Sequence, residues 1–403
     1  MKYVEGGITA AQGFTASGVY CGIRKNKTKK DLALIMCEKP CAAAAVYTQN
    51  LVKGAPIIVT EKHLKNKKAQ AIICNSGNAN TCNDNGEEIA ENICRIVEKV
   101  TGISANDVIV ASTGVIGQKL SIEPFEKGIP FAKDNLSKNG KNAATAIMTT
   151  DTTEKECAVE FEIKGKKCKI GGIAKGSGMI HPNMATLLVF ITTDTAISGD
   201  MLNKAIKEDV KNSFNMVSVD GDTSTNDMMA IMASGIAGNE VIDKEGENYE
   251  IFKKALNMVT INLCKKIAKD GEGATKLLEC RVSGAKDEES AKKIVKSVIG
   301  SSLLKAAMFG ADANWGRVLC AIGYSGTQTN VSKIDVEFQS KSGTLKVCSM
   351  GSGIAFDEEE AKKILSEEEI IISVTCRDGD GEAKGWGCDL TYDYVKINGD
   401  YRT

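Results

Sequence analysis

A chain of 403 residues with 42% hydrophobic and 26% charged side chains has the balance of an ordinary globular protein, long enough for two or three units with sizeable cores. Its net charge of −1 and 5% aromatic content give no field to draw in nucleic acid or an anionic membrane and few platforms for base stacking. No apolar run approaches the roughly eighteen residues that span a bilayer, and the start, "MKYVEGGITAAQGF", lacks an apolar core of signal-peptide length, so a cytoplasmic location is expected.

Taken in chain order, the patterning alternates between strand and helix. "EKHLKNKK" from Glu61 reads as a solvated basic helix face and predicts His63 at the surface. "AIIC" from Ala71 is a candidate strand. "EEIAENICRIVEKV" from Glu87 is a candidate helix, with Ile89, Ile93, Ile96, Val97 and Val100 on one stripe and Gly102 placed to end it. "DVIVAST" from Asp107 reads as a strand running into Ser112-Thr113-Gly114. "TTDT" occurs at Thr149 and again at Thr192, read as two strand ends entering Asx or Ser/Thr turns rather than as a repeat. Around "KGSG" and His-Pro-Asn the chain is turn-like, and "TLLVFITT" from Thr186 then follows as a buried strand.

A longer helix is predicted from about Tyr249 to Lys269, with Phe252, Leu256, Val259, Leu263 and Ile267 on one stripe. "DEESAKKIVKSVI" from Asp287 and "DEEEAKKIL" from Asp357 begin acidic and turn basic, as the helix dipole favours. "EEIIISVTC" from Glu368 is a further strand. The chain is therefore read as α/β, with short glycine-marked loops and no linker.

Few residue types are available for catalysis. Fourteen cysteines are scattered without a Cys-x-x-Cys, Cys37 and Cys41 being the nearest pair, which predicts reduced, mostly buried thiols and no metal site. His181 is the one plausible histidine base, although "HPN" in a turn suits a ring tied to local backbone. A hydroxyl can also be activated by its own amine. If the bond between Ala185 and Thr186 were cut, the new α-amino group, with a pKa near ~7.7–8.0, would sit within reach of the Thr186 hydroxyl. On these residues alone that reading stands beside a threonine that merely begins a strand.

An oxyanion needs donors on a close-approach turn, and Thr113 with the Gly114 N–H offers them. "AKDGEGATK" sets Glu272 between two glycines, without the strand or lysine spacing of a phosphate cradle. "RDGDGEAKGWGCD" mimics a calcium loop at Asp378, Asp380 and Glu382 but has Ala383 where glycine is required and Asp389 in place of a bidentate glutamate. Lys175 is placed either to meet a carboxylate or to be solvated.

Taken together, "GFTASGVYCGI", "NSGNANTC", "ASTGVIG", "AIMTTDT", "GGIAKGSGMIHPNMATLL", "VDGDTSTND", "AKDGEGATK", "GADANWGR" and the terminal "WGCDLTYDYVKINGDYRT" resemble the glutamate N-acetyltransferase/ornithine acetyltransferase family of arginine biosynthesis, over essentially the whole chain. The resemblance implies a layered α/β sandwich of the ornithine acetyltransferase, N-terminal-nucleophile-like type with a smaller second domain. It implies self-cleavage between Ala185 and Thr186 into an α chain of residues 1–185 and a β chain of residues 186–403, both contributing to one folded unit and usually paired as α2β2. Thr186 would attack N-acetylornithine with Thr113 and Gly114 holding the oxyanion, and an acetyl-threonine would then pass its acetyl group to glutamate. By the same likeness Lys175, Glu272, Asn398, Thr403 and one of Thr149 and Thr150 contact substrate. No cofactor is expected to be held, with acetyl-CoA open as a co-substrate. The rivals are an N-terminal-nucleophile amidohydrolase or aminopeptidase, in which water takes the acyl group, and a non-catalytic amino-acid-binding protein.

Overall fold

The apolar runs become interior strands of two sheets in a computed structural model that describes residues 1–181 and 187–400. The larger, nine-stranded sheet holds, in spatial order, Lys2–Tyr3, Lys155–Ile163, Lys166–Lys175, Leu188–Thr193, Met228–Ala233, Leu32–Tyr47, Lys68–Asn78 and Val108–Val115. Phe14–Val19 pairs with the first half of the long strand Leu32–Tyr47, whose second half pairs with Met228–Ala233. Leu188–Thr193 and Met228–Ala233 are buried at every position, as unbroken apolar runs require at the centre of a covered sheet. They run parallel with Leu188 beside Met228, while Lys175 lies opposite Leu188 on the other flank. One end of the central strand therefore has Lys175 on one side and the residues leading into Met228 on the other.

The seven-stranded sheet runs Ser352–Gly353, Gly343–Ser349, Asp335–Ser340, Glu369–Thr375, Leu277–Ala285, Gly381–Cys388 and Val217–Ser218. Helix Glu247–Lys269 packs against strands of both sheets. Its stripe of Phe252, Leu256, Val259, Leu263 and Ile267 is wholly buried, so the predicted helix and its face both hold. Helix Glu288–Gly300 lies against Leu277–Ala285 and Gly381–Cys388, where a Cβ on Gly385 would come within 2.5 Å of Val295. The far flank of the large sheet is covered by Gly86–Thr101 and Glu123–Asp134, whose Ile93, Val97, Phe125 and Ile129 meet Leu34, Ile73 and Val110.

Helix ends follow their sequence signals. Gly102 closes Gly86–Thr101 at φ 80°, and the Asp287 and Asp357 side chains accept the first free N–H groups of their helices. Eleven of the fourteen free cysteines are buried, as thiols that pack like small hydrophobes are. No helix among the described residues is long and apolar enough to cross a membrane.

Two expectations fail. His63 is buried, its Nδ1 donating to the Val108 carbonyl at 2.9 Å, because the helix Ala55–His63 turns its last residue inward while Lys62 faces out to Glu91. The two "TTDT" segments are not two strand ends. Thr192 and Thr193 close a strand, whereas Thr149 to Thr152 follow the helix Lys141–Ala146.

Candidate active site

Where strand Val108–Val115 leaves the sheet, Gly114 meets Gly77 of the neighbouring strand across a β-bulge at Asn78. Gly114 has φ 129°, and a Cβ there would lie 2.4 Å from the Gly77 carbonyl carbon, so no other residue fits. A buried network fixes this turn. Ser112 Oγ donates to Asn75 Oδ1 at 2.6 Å, and Asn226 Nδ2 donates to the carbonyls of Ser112 (3.0 Å) and Ala79 (2.5 Å). Thr81 and Thr225 hydroxyls in turn donate to Asn226 Oδ1, each at 2.6 Å. Residues 225–227 are thereby tied to the turn that carries Thr113 and Gly114.

Lys175 ends its strand buried, at 8% exposure. Next to it, Asp151 accepts from the N–H of Thr149 (3.0 Å), the N–H of Gly176 (2.7 Å) and Lys155 Nζ (2.7 Å). Burial alone would raise the Asp151 pKa, but the ammonium groups of Lys155 and Lys175, with those hydrogen bonds, outweigh it and hold the carboxyl well below its ordinary range. Lys155 also reaches Asp270 at 2.5 Å, directly after the helix Glu247–Lys269. Two residues on, Glu272 donates its N–H to the Ser177 carbonyl (2.9 Å) and its Oε2 accepts from Asn398 Nδ2 (2.7 Å). The flanking glycines serve close approach: a Cβ on Gly273, at φ 69°, would meet the Tyr394 nitrogen at 2.7 Å. Gly178 lies against the Glu272 carboxyl, since a Cβ there would be 2.4 Å from its carbon and would displace that group.

These segments enclose a cavity of about 130 Å³. Thr113 and Gly114 form one part of its wall, Thr149, Thr150 and Lys175 another, Glu272 and Asn398 a third, and Leu187 and Leu188 line it as well. All seven described positions that the sequence nominates for the site thus meet in one place. Ala185, Thr186 and Thr403 lie outside the described residues. A cationic lysine, an anionic glutamate and several hydroxyls around so small a space suit a zwitterion with a polar tail.

His181 takes no part in this wall. Its Nδ1 is 3.0 Å from Ser218 Oγ, and burial first, then the Lys296 charge, push its pKa down to about 4 against the pull of Asp220, so the ring is neutral at ordinary pH. The segment before it is clamped: the N–H groups of Met179 and Ile180 donate to the Asp220 carboxylate at 2.6 and 2.8 Å, and Thr223 Oγ1 donates to the His181 carbonyl at 2.8 Å. The calcium-like carboxylates serve separate ends, Asp378 accepting from the Asn330 N–H and Asp389 from those of Thr275 and Lys276. A larger cleft of about 1090 Å³ between Glu247–Lys269 and the smaller sheet contains none of the nominated site residues.

Sequence reasoning missed Asp151, Lys155, Asp220, Asn226 and Asp227. Only the last two carry a signal, a polar pair set directly before the fully apolar run Met228–Ala233.

Residues 15–403 match the ArgJ family. Among curated relatives, the arginine biosynthesis bifunctional protein ArgJ 1 of Clostridium acetobutylicum is 52% identical over 398 residues, 98% of this chain and 97% of its own. The arginine biosynthesis bifunctional protein ArgJ of Caldanaerobacter subterraneus is 50% identical over 405 residues, all of both chains. The crystal structure of the arginine biosynthesis bifunctional protein argJ from Bacillus halodurans aligns with a TM-score of 0.50 at 46% identity, covering 53% of this chain and 98% of that one.

Proposed function

This chain belongs to the ArgJ family, whose curated relatives are bifunctional proteins of arginine biosynthesis, and on that premise we propose that it is a self-processing acetyltransferase moving an acetyl group from N-acetylornithine to glutamate. The observation that carries this reading is the single cavity in which Lys175, Glu272 and the Thr113–Gly114 turn meet beside Leu187, the next residue after Thr186 in the sequence.

In this reading the cut at Ala185–Thr186 gives Thr186 a free amine that takes the proton of its own hydroxyl. The hydroxyl oxygen attacks the acetyl carbonyl, the Thr113 hydroxyl and Gly114 N–H hold the negative charge that develops, and the acetyl C–N bond breaks to release ornithine. Glutamate then attacks the acetyl-threonine and leaves with the acetyl group. Lys175 meets the substrate carboxylate, while Glu272, held by Asn398, faces the tail, with one of Thr149 and Thr150, and Thr403, as further contacts. For the second activity we assign acetylation of glutamate from acetyl-CoA.

Intact mass of the purified protein beside Thr186→Ala, followed by transfer from acetylornithine to labelled glutamate, tests the proposal. Fragments of 185 and 218 residues and acetylglutamate in the wild type alone are expected. Cleavage with free acetate as the product returns the hydrolase reading, and an uncut, inactive wild type returns the binding protein.

A further inference from the structure

Asp227 sits at the start of the strand Met228–Ala233 and is 2% exposed. It lines the same cavity as Lys175, Thr113 and Glu272, on the opposite flank of the central strand from Lys175. Its carbonyl is satisfied, since the Thr48 N–H donates to it at 3.0 Å. The side chain is not: among the described residues Oδ2 has no hydrogen-bond partner. The next residue's N–H, that of Met228, donates to the Leu187 carbonyl at 2.9 Å, which fixes the acid beside the stretch of chain that begins after Thr186.

A buried carboxyl oxygen left without a partner weakens a fold, so its presence in a reaction cavity points to use of the acid's proton. We propose that Asp227 is a further catalytic residue of the transfer reaction, a neutral carboxylic acid that protonates the departing amine and recovers its proton from the amine of Thr186. The proposal rests on the acetyl-transfer reading above. The electrostatics agree with it. Burial opposes the charged form more than the Ser224 hydroxyl, the Lys175 ammonium and the Thr48 hydroxyl favour it, and the carboxyl is held well above its ordinary value.

The protons balance. In the first half-reaction the Thr186 oxygen–carbon bond forms and the acetyl C–N bond breaks, while the hydroxyl proton passes to the Thr186 amine. The departing nitrogen takes the Asp227 proton, and the ammonium of Thr186 returns its proton to the Asp227 carboxylate. Both enzyme groups end as they began, and the hydroxyl proton has in effect travelled to ornithine. The second half runs the same transfers backwards, from the attacking glutamate amine to the Thr186 oxygen.

Asp227→Asn keeps the shape and removes the acid. On the full, self-cut protein we expect single-turnover acetylation by acetylornithine to slow by about 10²-fold or more, with KM changing by less than about threefold and a limb of the pH profile lost. An infrared difference spectrum of wild type against Asp227→Asn at neutral pH should show a protonated carboxyl band, a readout that serves even if the variant stays uncut. The role is overturned by a variant that acetylates within about threefold of wild type on an unchanged pH profile, by a change in KM alone, or by absence of the carboxyl band. Wild-type protein that moves no acetyl group at all sinks the transfer reading instead, so the two failures are distinguishable.

Discussion

Lys155 bridges two carboxylates that belong to different segments, Asp151 before the sheet and Asp270 after the long helix, and it is 1% exposed. Through Asp151 it fixes the backbone of Thr149 and Gly176, and through Asp270 the N–H of Thr152, so the segments that carry Thr149, Lys175 and Glu272 to the cavity share one ammonium. Lys155→Met strands two buried carboxylates and should cost about 3–5 kcal/mol, measured as the urea midpoint at pH 7. The pH dependence has a definite sign. Asp151 is depressed in the fold, so its stabilisation is complete above the unfolded value of about 3.9 and is lost as the pH falls below it. Unfolding free energy that holds constant from pH 5 to pH 3 contradicts this assignment. None of it is legible in "DTTEKEC", where lysine and aspartate look solvated, because burial of a charged residue depends on which distant segments close over it. Thr113, Lys175 and Glu272 were legible through motif resemblance, and Gly114 through turn chemistry as well. Asp227 was not, having only its place before an apolar run.

The segment 179–181 shows how one element is held by another. Met179 sits in the left-handed region at φ 55°, and the backbone N–H groups of Met179 and Ile180 both end on Asp220. That carboxylate lies in the stretch after Val217–Ser218, and the Val219 N–H returns a bond to the Ile180 carbonyl at 2.7 Å. Ala185 lies five positions after Ile180, so the clamp fixes the approach to the proposed cleavage point. Asp220→Ala is predicted to slow self-cleavage by about tenfold or more while leaving the far-ultraviolet spectrum unchanged, each lost charge-assisted bond being worth about 1.5–3 kcal/mol. Precursor that disappears at the wild-type rate on a time course of intact mass refutes it. Regular elements were easier to anticipate than this loop. Helices 86–101, 247–269, 288–300 and 358–365 announce themselves by period and caps that local physics fixes. "VDGDTSTND" reads only as loop, since its work is done through contacts with residues such as Met179, Ala79 and Thr48, far away in the sequence.

At the scale of the molecule, the boundary at 185 and 186 does not separate two bodies. Lys166–Lys175 and Leu188–Thr193 pair along six residues of one sheet, and Leu32–Tyr47 pairs with Met228–Ala233 farther along it. Once cut, the two products should copurify under native conditions, separate only in denaturant, and unfold in a single cooperative transition by circular dichroism and by fluorescence alike. Elution of the fragments as separate species without denaturant rules out the shared sheet.

The interleaved sheet also gives the protein a history. The uncut chain forms those strand pairs within itself, at a closure cost that grows only slowly with the length of the connection. After the proposed cleavage the same pairs would join two molecules, and their renewal would become a second-order encounter between partly unfolded, strand-rich fragments prone to aggregate. Recovery from denaturant should therefore depend on concentration for the mature form and not for Thr186→Ala. A protein cut as proposed would then be held together by the height of its unfolding barrier more than by the ease of its return.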